Sequence, residues 1–328
     1  MSDEDVRARW DADLLRFADH TVYQSSGWGR YKHARGWTPH HFLVEMDEAP
    51  AGMLQALVRV YPCRTVVTWC PGGPVGALEA CNKESMARLS SVFDARAFYC
   101  RAVLLRARNK DDERYLESNG WRRPSRRLSA TGTAIWNLRQ TEERLLAGLN
   151  RNWRYSLRQA QKAHLRVEPL TPPPIQELSD LCRTMNVSKG VAATVRTADL
   201  AALFDSLGQQ VLAYGCRNAS GQLIAFHSCA IQGDRAWELV AATSEEGRQA
   251  GASFAVLWEM VGRCRQLNVG LYDLAGLDSE KAPGVANFKR WTGAQDVEWL
   301  GEWEWASCRL VRQAVDFAVR TRGDAALP

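Results

Sequence analysis

This 328-residue chain predicts an α/β (α+β) fold in two domains. Three observations lead there. Helix-like and strand-like hydrophobic patterns alternate along the whole length. Glycine and proline punctuate nearly every change of pattern. The length suffices for two cores, and no short-period repeat or low-complexity tract breaks it up.

In order, residues 2–18 space Trp10, Leu14 and Phe17 as one helix face. Phe42–Met46 and Met53–Tyr61 predict strands around a loop with Pro50 and Gly52, and Val66–Trp69 a third strand stopped by Cys70-Pro-Gly-Gly-Pro74. A helix over Lys83–Ala95, a strand over Ala102–Arg106 and a helix ending at Asn119-Gly120 complete the first half. After Pro172-Pro-Pro174 come helices over Ile175–Met185 and Ala198–Leu207, with a loop around Gly190 between them. Strands over Val211–Arg217, Leu223–Ile231 and Ala236–Ala242 follow, then a helix over Ser253–Leu267 and a strand at Tyr272. A strand with Val297, Trp299 and Trp303 precedes a helix to about Val319. Glu302 and Glu304, flanking Trp303, are expected to face solvent.

Composition narrows the class. Apolar residues make up 46% and charged residues 24%, as in soluble globular proteins. The acidic start lacks the apolar core of a signal peptide, and no apolar run spans a bilayer, so a cytoplasmic protein without membrane insertion is expected. Nine scattered cysteines show neither Cys-x-x-Cys nor zinc spacing, which points to reduced, packed thiols and no metal site. Six histidines sit beside no nucleophile motif, and solvated or capping roles are expected of them.

The net charge of +5 is modest but unevenly spread. Arg122, Arg123, Arg126 and Arg127 crowd one segment. At about 100° per residue, Arg144, Arg151, Arg158 and Lys162 form a stripe with Arg154 at its edge, opposite Leu146, Leu149, Trp153, Leu157 and Ala160. That is one amphipathic helix, or two in register if Asn150 and Asn152 interrupt it. A solvated charged face is one reading; an anion-binding face is the other, favoured by the lack of acidic i+4 partners in its second half.

Gly284-Val-Ala-Asn-Phe288-Lys289-Arg-Trp291-Thr-Gly293 is the most informative segment. Lys289 is one of seven lysines in an arginine-rich chain. Between Phe288 and Trp291 it has apolar neighbours and a point charge on a flexible stem, suited to stabilising developing negative charge. A surface lysine in an aromatic loop is the alternative. Asp273, at the end of the preceding strand, could orient the glycine turn or act as a base.

The order helix, three strands, helix, strand resembles a Gcn5-related N-acyltransferase (GNAT) core. More specifically, the chain resembles the Fem family of non-ribosomal peptidyl transferases over nearly its whole length. The resemblance rests on Gln24-Ser-Ser-Gly-Trp28-Gly-Arg-Tyr-Lys32, the Pro71–Val75 turn, the Leu145–Val167 stretch with Arg154-Tyr-Ser-Leu-Arg158, and Tyr272-Asp-Leu-Ala-Gly276 followed by Phe288-Lys289.

The resemblance implies two GNAT-like domains: residues 1–150 with the C-terminal helix 306–328 returning to them, and residues 151–305. It implies transfer of an amino acid from aminoacyl-tRNA, a co-substrate in place of any cofactor, to an amine. Lys289 would stabilise the oxyanion with Phe288 holding it. Lys32, Arg196 and Trp28 would bind the acceptor, and Arg151, Arg154, Arg158 and Lys162 the tRNA.

Three departures touch the acceptor end. Leu200 stands where the family usually has a tyrosine. Ala236-Trp237-Glu238-Leu239 lacks the usual spaced tyrosines, and there is no room for the helical hairpin many members carry. The resemblance therefore implies a peptidoglycan precursor as acceptor, with a peptide or nucleoside natural product as the alternative.

Two alternatives remain. Arg248-Gln-Ala-Gly251-Ala-Ser253, before the Ser253 helix, resembles the loop that cradles a CoA pyrophosphate, which would make acyl-CoA the donor. A non-catalytic RNA-binding protein could instead stack bases on Trp121, Trp136, Trp153 and Tyr155 among the arginines.

Overall fold

A computed structural model describes residues 3–46, 49–163, 165–188, 196–277 and 282–322. The chain divides into two compact units, 1–132 with 298–328, and 133–297. The loop expected around Gly190 lies outside the described residues.

The first unit begins with α1 (Asp3–Leu14) and α2 (Ser26–His33), followed by β1 (Thr38–Met46), β2 (Ala49–Tyr61), β3 (Thr65–Pro71) and β4 (Val75–Gly76). Then come α3 (Lys83–Val92), β5 (Ala97–Ala107) and α4 (Lys110–Ser118). The second unit holds β6 (Gly132–Asn137), α5 (Glu142–Gly148), α6 (Arg151–Lys162), β7 (Arg166–Pro169), α7 (Ile175–Ser188) and α8 (Thr197–Leu207). It continues through β8 (Val211–Arg217), β9 (Leu223–Gln232), β10 (Arg235–Thr243), α9 (Glu245–Gln249), α10 (Ala252–Gln266), β11 (Leu271–Gly276) and α11 (Pro283–Arg290). β12 (Gln295–Ala306) and α12 (Arg309–Arg322) return the chain to the first unit.

In the first unit the strand order is β1-β2-β3-β5-β12, with β4 beside β2. All its pairings are antiparallel except β3 with β5, which run parallel from Thr65↔Ala97 to Pro71↔Val103. Gln24 ties two distant motifs of this unit together. Its side-chain amide donates to Pro71 O at 2.9 Å, and its Oε1 accepts Gln55 N–H at 2.6 Å. A Cβ on Gly73 would lie 2.4 Å from the Gln24 side chain, so the Pro71–Val75 turn needs glycine there.

Glu302 and Glu304 do not face solvent. Glu302 pairs with Arg101, whose Nε donates at 2.8 Å, and accepts Leu128 N–H at 2.8 Å; both side chains are almost wholly buried. Glu304 accepts from Tyr99 OH at 2.8 Å and lies 3.3 Å from Arg312 Nε. The expected alternation fails because β12 is covered on both faces: Trp303 joins one core cluster, and Ala306 packs with α12 residues in another. Burying these carboxylates is tolerable only because each has partners.

The second unit has strand order β6-β11-β10-β9-β8-β7. Its parallel pair, β10 with β11, spans only Arg235↔Leu271 to Trp237↔Asp273. The basic stretch resolves into two helices. Asn150 caps α6 by accepting Asn152 N–H at 2.9 Å, and its own N–H bonds Trp291 O at 2.7 Å. Leu145, Leu149, Trp153 and Leu157 are core residues of this unit, and β6 pairs with β11 there. Its boundary therefore falls at 132/133 rather than at residue 150, and at 297/298 rather than 305. Neither β6 nor β7 was anticipated; both are short strands without a clear alternation.

All nine cysteines are free; Cys63 and Cys308 are exposed and the other seven buried. Burial pushes the thiols of Cys182 and Cys216 up to about 11. No helix among the described residues is long and apolar enough to cross a membrane.

Candidate active site

The second unit brings its chemistry-bearing residues to the place where β10 and β11 part. A β-bulge between Glu238 and Val240 marks this point on β10. On β11, Asp273 accepts Ala275 N–H at 2.8 Å and the Thr133 hydroxyl. That pins a sharp turn in which Ala275 takes φ +60°, unusual for a residue with a side chain. Asp273 thus acts as the orienting group of this turn. Burial raises its pKa, opposed by its hydrogen bonds and by the positive charge of Lys289.

The turn directs two carbonyls at Lys289, in the last turn of α11. Lys289 Nζ donates to Gly276 O at 2.8 Å and Ala275 O at 3.2 Å. An ammonium has three donors, and these two bonds hold it at the turn. Burial lowers the Lys289 pKa, countered by the negative charges of Glu238 and Asp273. Phe288, one residue earlier, meets Phe254 edge-on at 5.0 Å and Trp153 at 5.9 Å. Phe288 therefore anchors α11 in the core while Lys289 turns to the strand ends.

Beside them lies a polar chain that sequence reasoning missed. Glu238 Oε1 sits 2.6 Å from His227 Nδ1, His227 Nε2 sits 2.7 Å from Ser253 Oγ, and Tyr272 OH donates to Glu238 Oε2. His227 is buried, contrary to the solvated or capping role expected of the histidines. Its ring lies nearly parallel to Phe288, 6.1 Å away. The register explains the meeting: Glu238 faces Cys229 on β9, and Ala236, two residues before Glu238, faces Tyr272 on β11. His227 and Tyr272 are thus its same-face diagonal neighbours. One signal was available in the sequence: a histidine inside an apolar strand needs a buried partner.

The remaining predicted residues are distributed as follows. On α6, Arg151, Arg158 and Lys162 are exposed and Arg154, half-buried, donates to Ala147 O at 3.0 Å, while Trp153, Leu157 and Ala160 are buried. Arg196, at the start of α8, is exposed and forks onto Asp199 at 2.8 and 3.1 Å. In the first unit Lys32 is buried, with Nζ 4.8–5.1 Å from the ring centres of Tyr31, Trp69 and Trp28. Arg248 bonds Glu245 and Thr243 O. Gly251 takes a left-handed φ of +70° against α6, where an added Cβ would lie 3.0 Å from Ser156 O. Of the aromatics proposed to stack on RNA, Trp121, Trp136 and Trp153 are core residues and only Tyr155 is exposed.

Residues 147–290 match the acetyltransferase (GNAT) domain family. The fold defines the class: this is a tandem GNAT-fold protein, and the domain match with that fold supports acyl transfer as its chemistry. Among solved structures it is similar to FemX, with a TM-score of 0.82 at 15% identity over 94% of this chain and 98% of that one. The Fem-like fold expected from the sequence is therefore the fold of this chain. It is also similar to the C-terminal domain of a putative lysylphosphatidylglycerol synthetase from Agrobacterium fabrum (TM-score 0.55, 14% identity, 95% of this chain and 97% of that one). A tandem GNAT protein from the clavulanic acid biosynthesis pathway gives 0.54 at 13% identity, over 94% and 96%. No curated protein matches the sequence.

Proposed function

We propose that this protein forms amide bonds in the cytoplasm by moving an aminoacyl group from aminoacyl-tRNA to an amine, on a peptidoglycan precursor or a peptide or nucleoside natural product. One observation carries the choice of donor. The backbone of α6 lies against Gly251, at the loop where an acyl-CoA pyrophosphate would sit, and α6 presents exposed Arg151, Arg158 and Lys162 to solvent. A polyanion on that face would be held by charge attraction and the release of its counterions, which supply most of the sequence-independent affinity for nucleic acid.

The chemistry demands little beyond positioning. The donor is already an ester and the acceptor an amine, so holding them in line supplies much of the acceleration. Lys289, fixed by two carbonyls, stabilises the oxyanion that develops on the ester carbonyl. Lys32, Trp28 and Arg196 are assigned to the acceptor.

The acyl-CoA alternative keeps one supporting feature, the left-handed Gly251 that opens the 15-residue α10. The deciding experiment supplies purified protein with a labelled charged-tRNA pool or with an acyl-CoA panel, each with uridine-diphosphate muropeptide and a metabolite extract. Label is expected to pass from tRNA to an amine, located by mass spectrometry. Transfer from acyl-CoA alone would overturn the donor assignment.

A further inference from the structure

The chain Ser253–His227–Glu238 has more structure than proton balance or packing requires. His227 is only 5% exposed, and each of its ring nitrogens meets one side chain. Ionised Glu238 can only accept, and it already accepts the Tyr272 hydroxyl on Oε2. With a carboxylate oxygen as acceptor, His227 Nδ1 carries the hydrogen facing Oε1, and in the neutral imidazole Nε2 is then the acceptor that faces the Ser253 hydroxyl. A nucleophile bonded to a base, itself oriented by a carboxylate, is the arrangement that activates a serine.

Position supports the same reading. Ser253 is half-buried at the second residue of α10, and the first N–H groups of a helix have no acceptor within it. Ser228, the neighbouring serine on β9, is by contrast fully buried and donates to Val240 O at 2.8 Å. Phe288 lies nearly parallel to the His227 ring, 6.1 Å away, and packs against the core of this unit. Lys289, on the same helix turn as Phe288, feels the negative charge of Glu238, which counters the effect of burial on its ammonium.

We propose that Ser253 is a nucleophile, with His227 as its base and Glu238 as the positioning residue, and that it takes the acyl group from an ester donor as an acyl-serine. In the first half-reaction the Ser253 Oγ–carbonyl bond forms and the donor's carbonyl–oxygen bond breaks. The hydroxyl proton passes to His227 Nε2 and on to the departing alcohol oxygen. In the second, the amine nitrogen bonds the carbonyl, the acyl–Oγ bond breaks, and the amine's proton returns through His227 to Oγ. This rests on the ester-donor reading above and turns a single displacement into two.

The test treats full-length protein with p-nitrophenyl acetate and, separately, with a fluorophosphonate, read by intact mass and peptide mapping. The expected result is one adduct on Ser253, absent in S253A. Acylation should slow by on the order of 10⁴ in E238Q, which favours the wrong histidine tautomer, and comparably in H227Q. S253A keeps the test valid if H227Q folds poorly. No adduct on Ser253 in the wild type, or S253A transferring acyl groups at the wild-type rate, would overturn the proposal. An adduct on Ser253 without transfer from charged tRNA would sustain the nucleophile and refute the tRNA donor instead.

Discussion

The two units solve one architectural problem differently. Each sets a parallel strand pair in an otherwise antiparallel sheet. In the first, β3 and β5 stay paired over their full shared length, from Thr65 to Pro71. In the second, β10 and β11 separate after Trp237 and Asp273. The zipped pair satisfies its own backbone groups, and in that unit buried Arg101 pairs with Glu302 while Glu304 accepts from the Tyr99 hydroxyl. The parted pair leaves strand ends that other groups must complete. There Lys289 binds two carbonyls, Asp273 pins the turn, and Ser253, His227 and Glu238 line up. The lesson is that the buried carboxylates of the first unit are tied into its core, while in the second the polar groups gather where β10 and β11 part, at the site proposed for transfer. The GNAT-family match, confined to residues 147–290, falls on the parted pair.

The comparison breaks most readily at Glu302. E302A should destabilise the protein by about 3–5 kcal/mol, since it strands a buried arginine. Chemical denaturation would measure this, and turnover by the molecules that remain folded should be unchanged. If E302A instead abolished transfer in fully folded protein, the first unit would have a role in the chemistry.

K289A should do the reverse, lowering transfer by about 10²–10³ with little change in stability. Near-normal turnover would remove Lys289 from the site. The pH dependence sharpens this further. Burial lowers the Lys289 pKa, so the ammonium is present below that value and lost above it, and the alkaline fall in rate should begin at lower pH than an ordinary lysine would set. K289R, charged throughout, should retain whatever activity it has to higher pH.

A smaller effect is expected on α6. R151E/R158E should weaken tRNA binding and reduce the magnitude of its log–log salt slope by about 2, leaving acceptor affinity alone. Smallest is K32A, for which we expect a raised KM for the acceptor at unchanged donor saturation. A drop in thermal stability without any KM change would make the aromatic box around Lys32 purely structural.

How much of this was legible follows from the physics of each element. Strands β8, β9 and β10 are bounded by Gly221 and Gly233, and the helices by clear apolar stripes, so local pattern sufficed. Lys289 and Phe288 lie in one motif and could be found together. Glu302 was misread because alternation predicts an exposed face only when a strand is covered on one side. Beyond the hint of His227 in an apolar strand, the Ser253–His227–Glu238 chain could not be assembled from the sequence, because its members come from three elements and only the strand register and the bulge on β10 bring them into contact. Arg123, one of the four arginines crowded into one segment, stacks 3.9 Å from the Trp303 ring centre, a contact that no local pattern announces.

The placement of the nine thiols has a practical use. A maleimide added to the folded protein should mark Cys63 and Cys308 only, and both belong to the first unit. Cys182, Cys216, Cys229 and Cys264 all lie in the second unit and are buried. Each new site of labelling during denaturation therefore reports which unit has opened. Without any engineered probe, the chain carries its own record of whether its two halves unfold together or in turn.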